Sequence, residues 1–449
     1  MNRRSVNAIA VTIAAVMTIG HPMVATAPQA KNNSEAVSTL IDALRRSRAI
    51  GDRGAEDRFW RRVAADGAPL IEPYKGSYLV SFVWHGDSQT HNVVVFSQIG
   101  GADPAANKMA HVDGTDVWFR TYVLPRRARL TYRLSPNDSL LPLTAPNLDI
   151  VQRLSTTRLD PLNPHHFPPR GDVTNPETVS LVEMPDAPSQ QFVTPRPNTP
   201  RGNLTDVQFT SEVLGNTRSV HVYTPTGYAA DAEPYASLVM FDGESYVKLV
   251  SAPTILDNLI NDRTIPPTVA VFVDNAAGPA ARDRELPCYR PFADAIANEL
   301  MPRLRRQFNI TRDPARTVIA GSSYGGLAAI CGAMWHPEVF GGVLSQSASL
   351  WWKPAGDQND WEWVKRQLEL MPPLHLRIFI TVGTLEVAPK PGGAPTQLDS
   401  NRRLCASLRA RRYDVMCDEF ISAHEYVAWQ GELKSALASL LARRSGPPR

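Results

Sequence analysis

Hydrophobic and polar positions change their spacing several times along the chain, and each change marks a different class of element. After Asn2-Arg3-Arg4, residues 6–20 form an apolar run of about fifteen, too short for the ~20 residues that cross a bilayer. Residues 1–30 therefore read as a signal peptide, cut after Val24-Ala25-Thr26-Ala27 or at Ala30, with an uncleaved membrane anchor as the alternative. Over 31–70, charged positions interleave with Leu40, Ile41, Leu44 and Trp60, which predicts a helical N-terminal segment. From Gly76 the pattern turns to short alternating or aromatic-rich runs at 78–84, 92–96, 117–122 and 130–134, separated by turn residues. With no helical pattern between them, these predict an all-β sandwich over 71–185. Pro185, Pro188, Pro195, Pro197 and Pro200 then give residues 186–204 the composition of a linker. Beyond it, apolar runs at 220–223, 237–241, 269–273, 317–320, 342–345, 376–381 and 415–420 alternate with helical stretches such as 292–308. The central runs are almost continuously apolar, as expected of strands covered on both faces. Residues 205–449 thus predict an α/β domain with a mainly parallel sheet and helices on both faces.

Composition narrows the function. The 449 residues are 43% apolar and 20% charged, which suits folded globular domains. A net charge of only +3, from 47 Lys+Arg against 44 Asp+Glu, lacks the basic excess that nucleic-acid binding demands. No stretch besides the N-terminal run has the length and apolarity of a membrane span. Export to an oxidising compartment makes the four cysteines disulfide candidates. Cys405, on a predicted helix over 398–411, and Cys417, on the strand after it, form the preferred pair. The alternative is four buried thiols. No CxxC or Cys/His spacing of metal type occurs. The adjacent His165-His166 after Asp160–Pro164 point apart, so that segment reads as a rigid turn and not as a metal site.

Gly321-Ser322-Ser323-Tyr324-Gly325 carries the chemistry. A G-x-S-x-G pentapeptide alone is weak, but here a β-branched strand enters it and an Ala-rich helix leaves it. That is the setting of a nucleophile elbow, with flanking glycines where a Cβ would strike neighbouring backbone. The α/β domain is accordingly predicted to be an α/β hydrolase with Ser323 as nucleophile. A serine hydroxyl is inert at neutral pH without a base, and the base needs an acid behind it. In this fold class they follow in the order serine, acid, histidine. His221 lies on the domain's first strand, His336 beside Pro337 and His375 at the start of a strand, whereas His424 follows the last strand, where the base is expected. Glu386, after the strand 376–381, is the favoured acid; Asp399, before a helix, is the second candidate and equally an N-cap. The oxyanion hole would draw on the Tyr324 N–H and on Gly243 and Glu244 in the turn Phe241–Glu244.

The chain also resembles the enterochelin (ferric enterobactin) esterases. The resemblance rests on Asp160-Pro161-Leu162-Asn163-Pro164, Glu183-Met184-Pro185, Phe241-Asp242-Gly243-Glu244, Glu285-Leu286-Pro287-Cys288 and the elbow with Gly326-Leu327. It continues in Leu344-Ser345-Gln346-Ser347, Trp351-Trp352, and His424 with Trp429-Gln430-Gly431, in the family's order. It implies an immunoglobulin-like N-terminal sandwich, an α/β-hydrolase domain, and hydrolysis of the ester linkages of catecholate siderophores to release iron. Ser323 and His424 match the family's catalytic serine and histidine, and Glu386 an acidic position after the Gly383 strand. Two departures stand out: Ser322 replaces the glutamine usual before the nucleophile, and the signal peptide points to a periplasmic enzyme where the best-known members are cytoplasmic. No cofactor is implied, because iron would arrive with the substrate. A ferric tris-catecholate is a bulky trianion with aromatic faces, so its site should offer cations and flat apolar surfaces. Arg282, Arg284, Trp351 and Trp352 are the candidates. The same serine machinery would also serve an exported general carboxylesterase of feruloyl type. With the hydrolase domain as mere scaffold, the chain would instead be a siderophore-binding protein.

Overall fold

The computed structural model describes residues 38–442, apart from 102, 143–144, 146–147, 170, 176 and 279. The segment read as a signal peptide lies outside the described residues. The rest divides into two units, one comprising residues up to Pro188 together with Ile421–Val427, the other Ser189–Phe420 together with the chain from Ala428.

The first unit opens with α1 (Thr39–Ala49) and α2 (Ala55–Asp66). Gly51, at φ 81°, ends the first helical path, so the predicted helical segment is two helices, and it stops before strand β1 (Leu70–Tyr74). Ile41, Leu44, Phe59 and Val63 fall on the inward faces of the pair and bury against Val83, Val117 and Phe119. The remaining strands are β2 (Ser77–His85), β3 (Val93–Phe96), β4 (Ala110–His111), β5 (Val117–Pro125), β6 (Arg129–Pro136), β7 (His166–Phe167) and β8 (Val179–Glu183). They form two four-stranded antiparallel sheets, β1-β2-β5-β4 and β3-β6-β8-β7. Phe82 of β2 meets Tyr132 of β6 edge to face at 4.5 Å, which joins the two sheets through one aromatic contact. In the turn before β7, Asp160 is buried, accepts from Tyr132 Oη at 2.7 Å and takes the Leu162 N–H at 2.9 Å.

The second unit is built on eight strands: β9 (Asn203–Ser211), β10 (Asn216–Thr224), β11 (Ala236–Phe241), β12 (Thr268–Val273), β13 (Thr317–Ser322), β14 (Gly342–Gln346), β15 (Arg377–Gly383) and β16 (Asp414–Phe420). Their order is β16-β15-β14-β13-β11-β12-β10-β9. From β12 to β16 all neighbours are parallel, whereas β9 and β10 form an antiparallel hairpin on the β12 edge. The sheet is therefore mixed. β9 gave a weak apolar signal because its solvent side carries Asp206, Gln208 and Thr210 and only Val207 and Phe209 of its inward side are apolar. Strands β11 to β14 are buried along their whole length, in keeping with their unbroken apolar runs. The proline-rich segment is anchored within this unit: Asn258 Nδ2 donates to the carbonyls of Phe192 and Thr194 at 2.8 and 2.9 Å, and Arg196 pairs with Asp262.

Both possible bridges are formed. Cys405–Cys417 joins a helix to β16, and Cys288–Cys331 joins the loop beyond β12 to the helix that follows β13. Among the described residues no helix is long and apolar enough to cross a membrane, and no group of three or more His, Cys, Asp and Glu could hold a metal ion. Peptide mapping without reductant should recover the 288–331 and 405–417 pairs. Reduction should lower the melting temperature, since closing loops of this length restricts the unfolded chain by about 3 to 4 kcal/mol each. Four free thiols in protein purified without reductant would contradict the assignment.

Candidate active site

Because β11, β13, β14 and β15 are parallel neighbours, the segments leaving their C-terminal ends share one edge of the sheet. That edge is where open α/β sheets place their ligands. Two short helices earlier in this unit are α3 (Gly243–Lys248), after β11, and α4 (Ala281–Glu285), after β12; Ser323 sits between β13 and helix α5 (Tyr324–Trp335). Its backbone lies at φ 57°, ψ −123°, a region that a residue with a Cβ rarely enters. Two glycines make the bend possible. A Cβ on Gly321 would lie 2.5 Å from the carbonyl carbon of Gly325, and one on Gly326 would lie 3.0 Å from Ala348 Cβ. The bend is pinned by Ser323 N–H donating to Gln346 O at 2.9 Å and by Ser323 O accepting from Ser349 N–H at 3.1 Å.

The turn after β11 lies against the elbow. Asp242, with φ 54°, precedes α3, and a Cβ on Gly325 would come within 3.3 Å of its Oδ2. Gly243 is packed so tightly on β12 that a Cβ would fall 2.6 Å from the Phe272 carbonyl carbon. The buried Asp242 carboxylate is held by Arg282 Nε and Nη2 at 2.7 and 2.8 Å and by Asn275 Nδ2 at 2.7 Å. The first turns of α3 and α5, carrying the N–H groups of Gly243, Glu244 and Tyr324, thus meet at this edge, with the positive ends of both helices.

Glu386 follows β15 and is buried. Its Oε1 accepts the Gly383 N–H at 2.7 Å and the Ser347 hydroxyl at 2.5 Å, and Ser347 Oγ in turn accepts from Trp429 Nε1 at 3.0 Å. Trp429 belongs to α7 (Tyr426–Leu441), after α6 (Gln397–Ala410), and its carbonyl accepts from Gln346 Nε2, whose Oε1 takes the Tyr246 hydroxyl. These supports are the residues of the Leu344–Ser347 and Trp429–Gly431 motifs, to which sequence reasoning had assigned no task. Asp399 is not itself the N-cap, as its place before a helix had suggested: Thr396 caps α6, its hydroxyl accepting the Asp399 N–H at 3.0 Å and donating to Asp399 Oδ2 at 2.9 Å. That T-x-x-D pattern is readable in the sequence.

His424 is buried and lies in the residues 421–427 that group with the first unit. The other hydrolase-domain histidines have other surroundings. His336 contacts Asp294 and Glu338, and His221 lies between Asp206 and Asp274, whose hydrogen bonds raise it to about 9. His375 is exposed.

Of the four residues expected to meet substrate, Arg282 is largely buried in its pair with Asp242, so its charge is mostly neutralised in place. Its guanidinium carbon also lies 5.9 Å from the Tyr324 ring centre. Arg284 is well exposed and pairs with Glu285 at 3.0 Å. Trp351 is buried, donates to Gln397 Oε1 at 2.8 Å and lies 6.4 Å from the Tyr324 ring, whereas Trp352 is half-buried against Trp363. Sequence reasoning passed over Lys390. Held between Pro389 and Pro391, its Nζ sits 5.3 Å from the Trp351 ring centre. Burial draws Lys390 down to about 8, with the charge of Glu386 opposing that shift. The two cations thus flank the two rings in the order Arg282, Tyr324, Trp351, Lys390, beside the elbow.

Residues 211–440 match the family model described as putative esterase, and residues 79–193 match the one described as enterochelin esterase, N-terminal. The iron(III) enterobactin esterase of Escherichia coli O6:H1 is 31% identical, over 74% of this chain and 81% of its own length. The iron(III) salmochelin esterase of the same organism is 26% identical, over 91% and 99%. Among solved structures, the ferric enterobactin esterase of Salmonella typhimurium superposes with a TM-score of 0.70 at 30% identity, covering 86% of this chain and 98% of that one. The enterobactin esterase of Shigella flexneri crystallised in the presence of enterobactin gives 0.67 at 27%, covering 86% and 97%. An α/β-hydrolase-like mixed sheet with a serine at its elbow, matched along both units by these relatives, makes the chain a carboxylic-ester hydrolase belonging to the enterochelin esterase family.

Proposed function

We propose that this enzyme hydrolyses the ester bonds of ferric catecholate siderophores of the enterobactin type, releasing iron from the cleaved ligand. The observation that carries the reading is the strained backbone of Ser323, in a chain whose relatives are named as enterobactin and salmochelin esterases. Ser323 Oγ attacks the ester carbonyl carbon while His424 accepts its proton. Negative charge gathers on the carbonyl oxygen, where the N–H groups of Tyr324 and of Gly243 or Glu244 receive it. The C–O bond then breaks, and His424 returns the proton to the departing serine hydroxyl of the siderophore, leaving an acyl-Ser323 ester. Water attacks that ester by the same path in reverse. Glu386 orients the imidazole and stabilises its charged form. The hydrogen bonds from Gly383 and Ser347 keep the carboxylate ready for that task.

The substrate trianion would meet the row of cations and rings, with Lys390 and Arg284 supplying charge and Tyr324, Trp351 and Trp352 supplying surface. The first unit is read as an immunoglobulin-like sandwich, supported by its two antiparallel four-stranded sheets, with residues 186–204 joining it to the catalytic domain. A periplasmic location is supported by the charged and apolar N-terminal sequence and by the bridging of all four cysteines.

Mass spectrometry of iron-loaded and iron-free enterobactin after incubation with the enzyme should show linearised and shorter ester products. Ser323→Ala should lose at least about 10³-fold in kcat while still binding the ferric siderophore. Glu386→Gln should lose on the order of 10⁴-fold, mainly in kcat. Binding without any hydrolysis by the parent enzyme would establish a binder instead. Lys390 is charged below about pH 8 and loses its charge as pH rises through that value. The KM for ferric enterobactin should therefore climb between pH 7 and 9, and should be high and flat in Lys390→Met. Arg284→Ala should also raise that KM while leaving the KM for a small neutral ester unchanged; equal effects on both substrates would contradict the cationic site.

A further inference from the structure

The histidine of the proposed catalytic pair is held by three sets of bonds from the first unit. Gln98, just beyond β3, clamps the main chain of His424 itself: its Nε2 donates to His424 O at 2.9 Å and its Oε1 accepts His424 N–H at 3.2 Å. Arg129, which opens β6, donates its N–H to Ile421 O at 3.3 Å and accepts the Ser422 hydroxyl on its carbonyl at 2.6 Å. The buried Glu425 accepts the Thr131 N–H at 2.9 Å, the Thr131 hydroxyl, and the Ser422 hydroxyl at 3.1 Å. β3 and β6 are neighbours in one sheet, and Ser97 Oγ bonds Thr131 O at 2.8 Å, so Gln98 and Thr131 belong to one rigid patch. Residues 421–427 follow β16, group with the first unit, and are bonded to it at Ile421, Ser422, His424 and Glu425.

We propose that Gln98 and the Thr131–Glu425 pair are positioning residues for catalysis, which fix the main chain that carries His424 and so the aim of its imidazole. This rests on the serine–histidine mechanism above. Gln98 is only partly buried and makes both bonds to the main chain of a single residue, so its removal should disturb the aim of His424 far more than the fold. A misplacement of about 1 Å is enough to cost a reaction ~10²-fold. The chemistry at Glu425 points the same way. Ser422 has one proton for two acceptors, Arg129 O and Glu425 Oε1. Burial pushes Glu425 up to about 7. A protonated Glu425 completes the chain by donating to Ser422, and a glutamine would do the same while still accepting from Thr131.

The test uses the full chain, a small chromogenic ester and a fluorophosphonate that captures the nucleophile. Gln98→Ala should lower kcat by about 10- to 100-fold with KM within about twofold. It should slow capture of Ser323 by the same factor and leave the melting temperature near the parent's. Glu425→Gln should recover most of what Glu425→Ala removes. Parental kcat and capture rate in Gln98→Ala would overturn the proposal. So would a loss that only tracks the folded fraction, or Glu425→Gln as impaired as Glu425→Ala. A parent enzyme that neither hydrolyses esters nor reacts at Ser323 would overturn the mechanism itself, and this assignment with it; an active parent with unaffected variants overturns this assignment alone.

Discussion

The stacking of Gly321 on Gly325, with no room for a side chain between them, is the constraint on which the site depends. It allows β13 to turn into α5 within a single residue, and it leaves Ser323 at a positive φ that costs about 1–3 kcal/mol. The surroundings overcome that cost. α5 is buried from Tyr324 to Met334, and the elbow is bonded to the end of β14 on both sides of Ser323. The Cys288–Cys331 bridge ties the same helix to the segment just after α4, the helix that carries Arg282.

From this bend the rest of the edge follows by strand order. β11 brings Asp242 and the start of α3 against the elbow on one side, and β14 and β15 bring Ser347 and Glu386 on the other. Each element is held by buried polar contacts rather than by packing alone. Arg282 and Asn275 hold Asp242, and Ser347 and Gly383 hold Glu386. Such fully bonded networks fix geometry, because any rearrangement would strand a buried polar group. Arg282 shows the consequence for recognition. A cation that looked available to substrate is tied to Asp242, and Lys390, half-buried on Trp351, takes up the role proposed for it.

What the sequence made legible was local. The elbow could be read because strand, turn and helix signals are contiguous there, and Cys405–Cys417 because twelve residues separate the pair. The capping of α6 by Thr396, bonded to Asp399, was written in a four-residue pattern. What stayed hidden was long-range or featureless. Gln98 and His424 are 326 positions apart, and a glutamine after a short strand carries no motif. Lys390 is one lysine in a proline-rich loop, distinguished only by the ring beneath it. β9 escaped because its inward side offers only Val207 and Phe209 as apolar positions among polar neighbours.

The central claim is that Ser323 becomes covalently acylated by its substrate. Rapid acid quenching of the enzyme with ferric enterobactin, followed by peptide mass spectrometry, tests it most directly. The account predicts a siderophore-derived acyl group on the peptide containing Ser323, appearing before products leave and absent from His424→Ala. Turnover with no adduct, or an adduct on another residue, would contradict it.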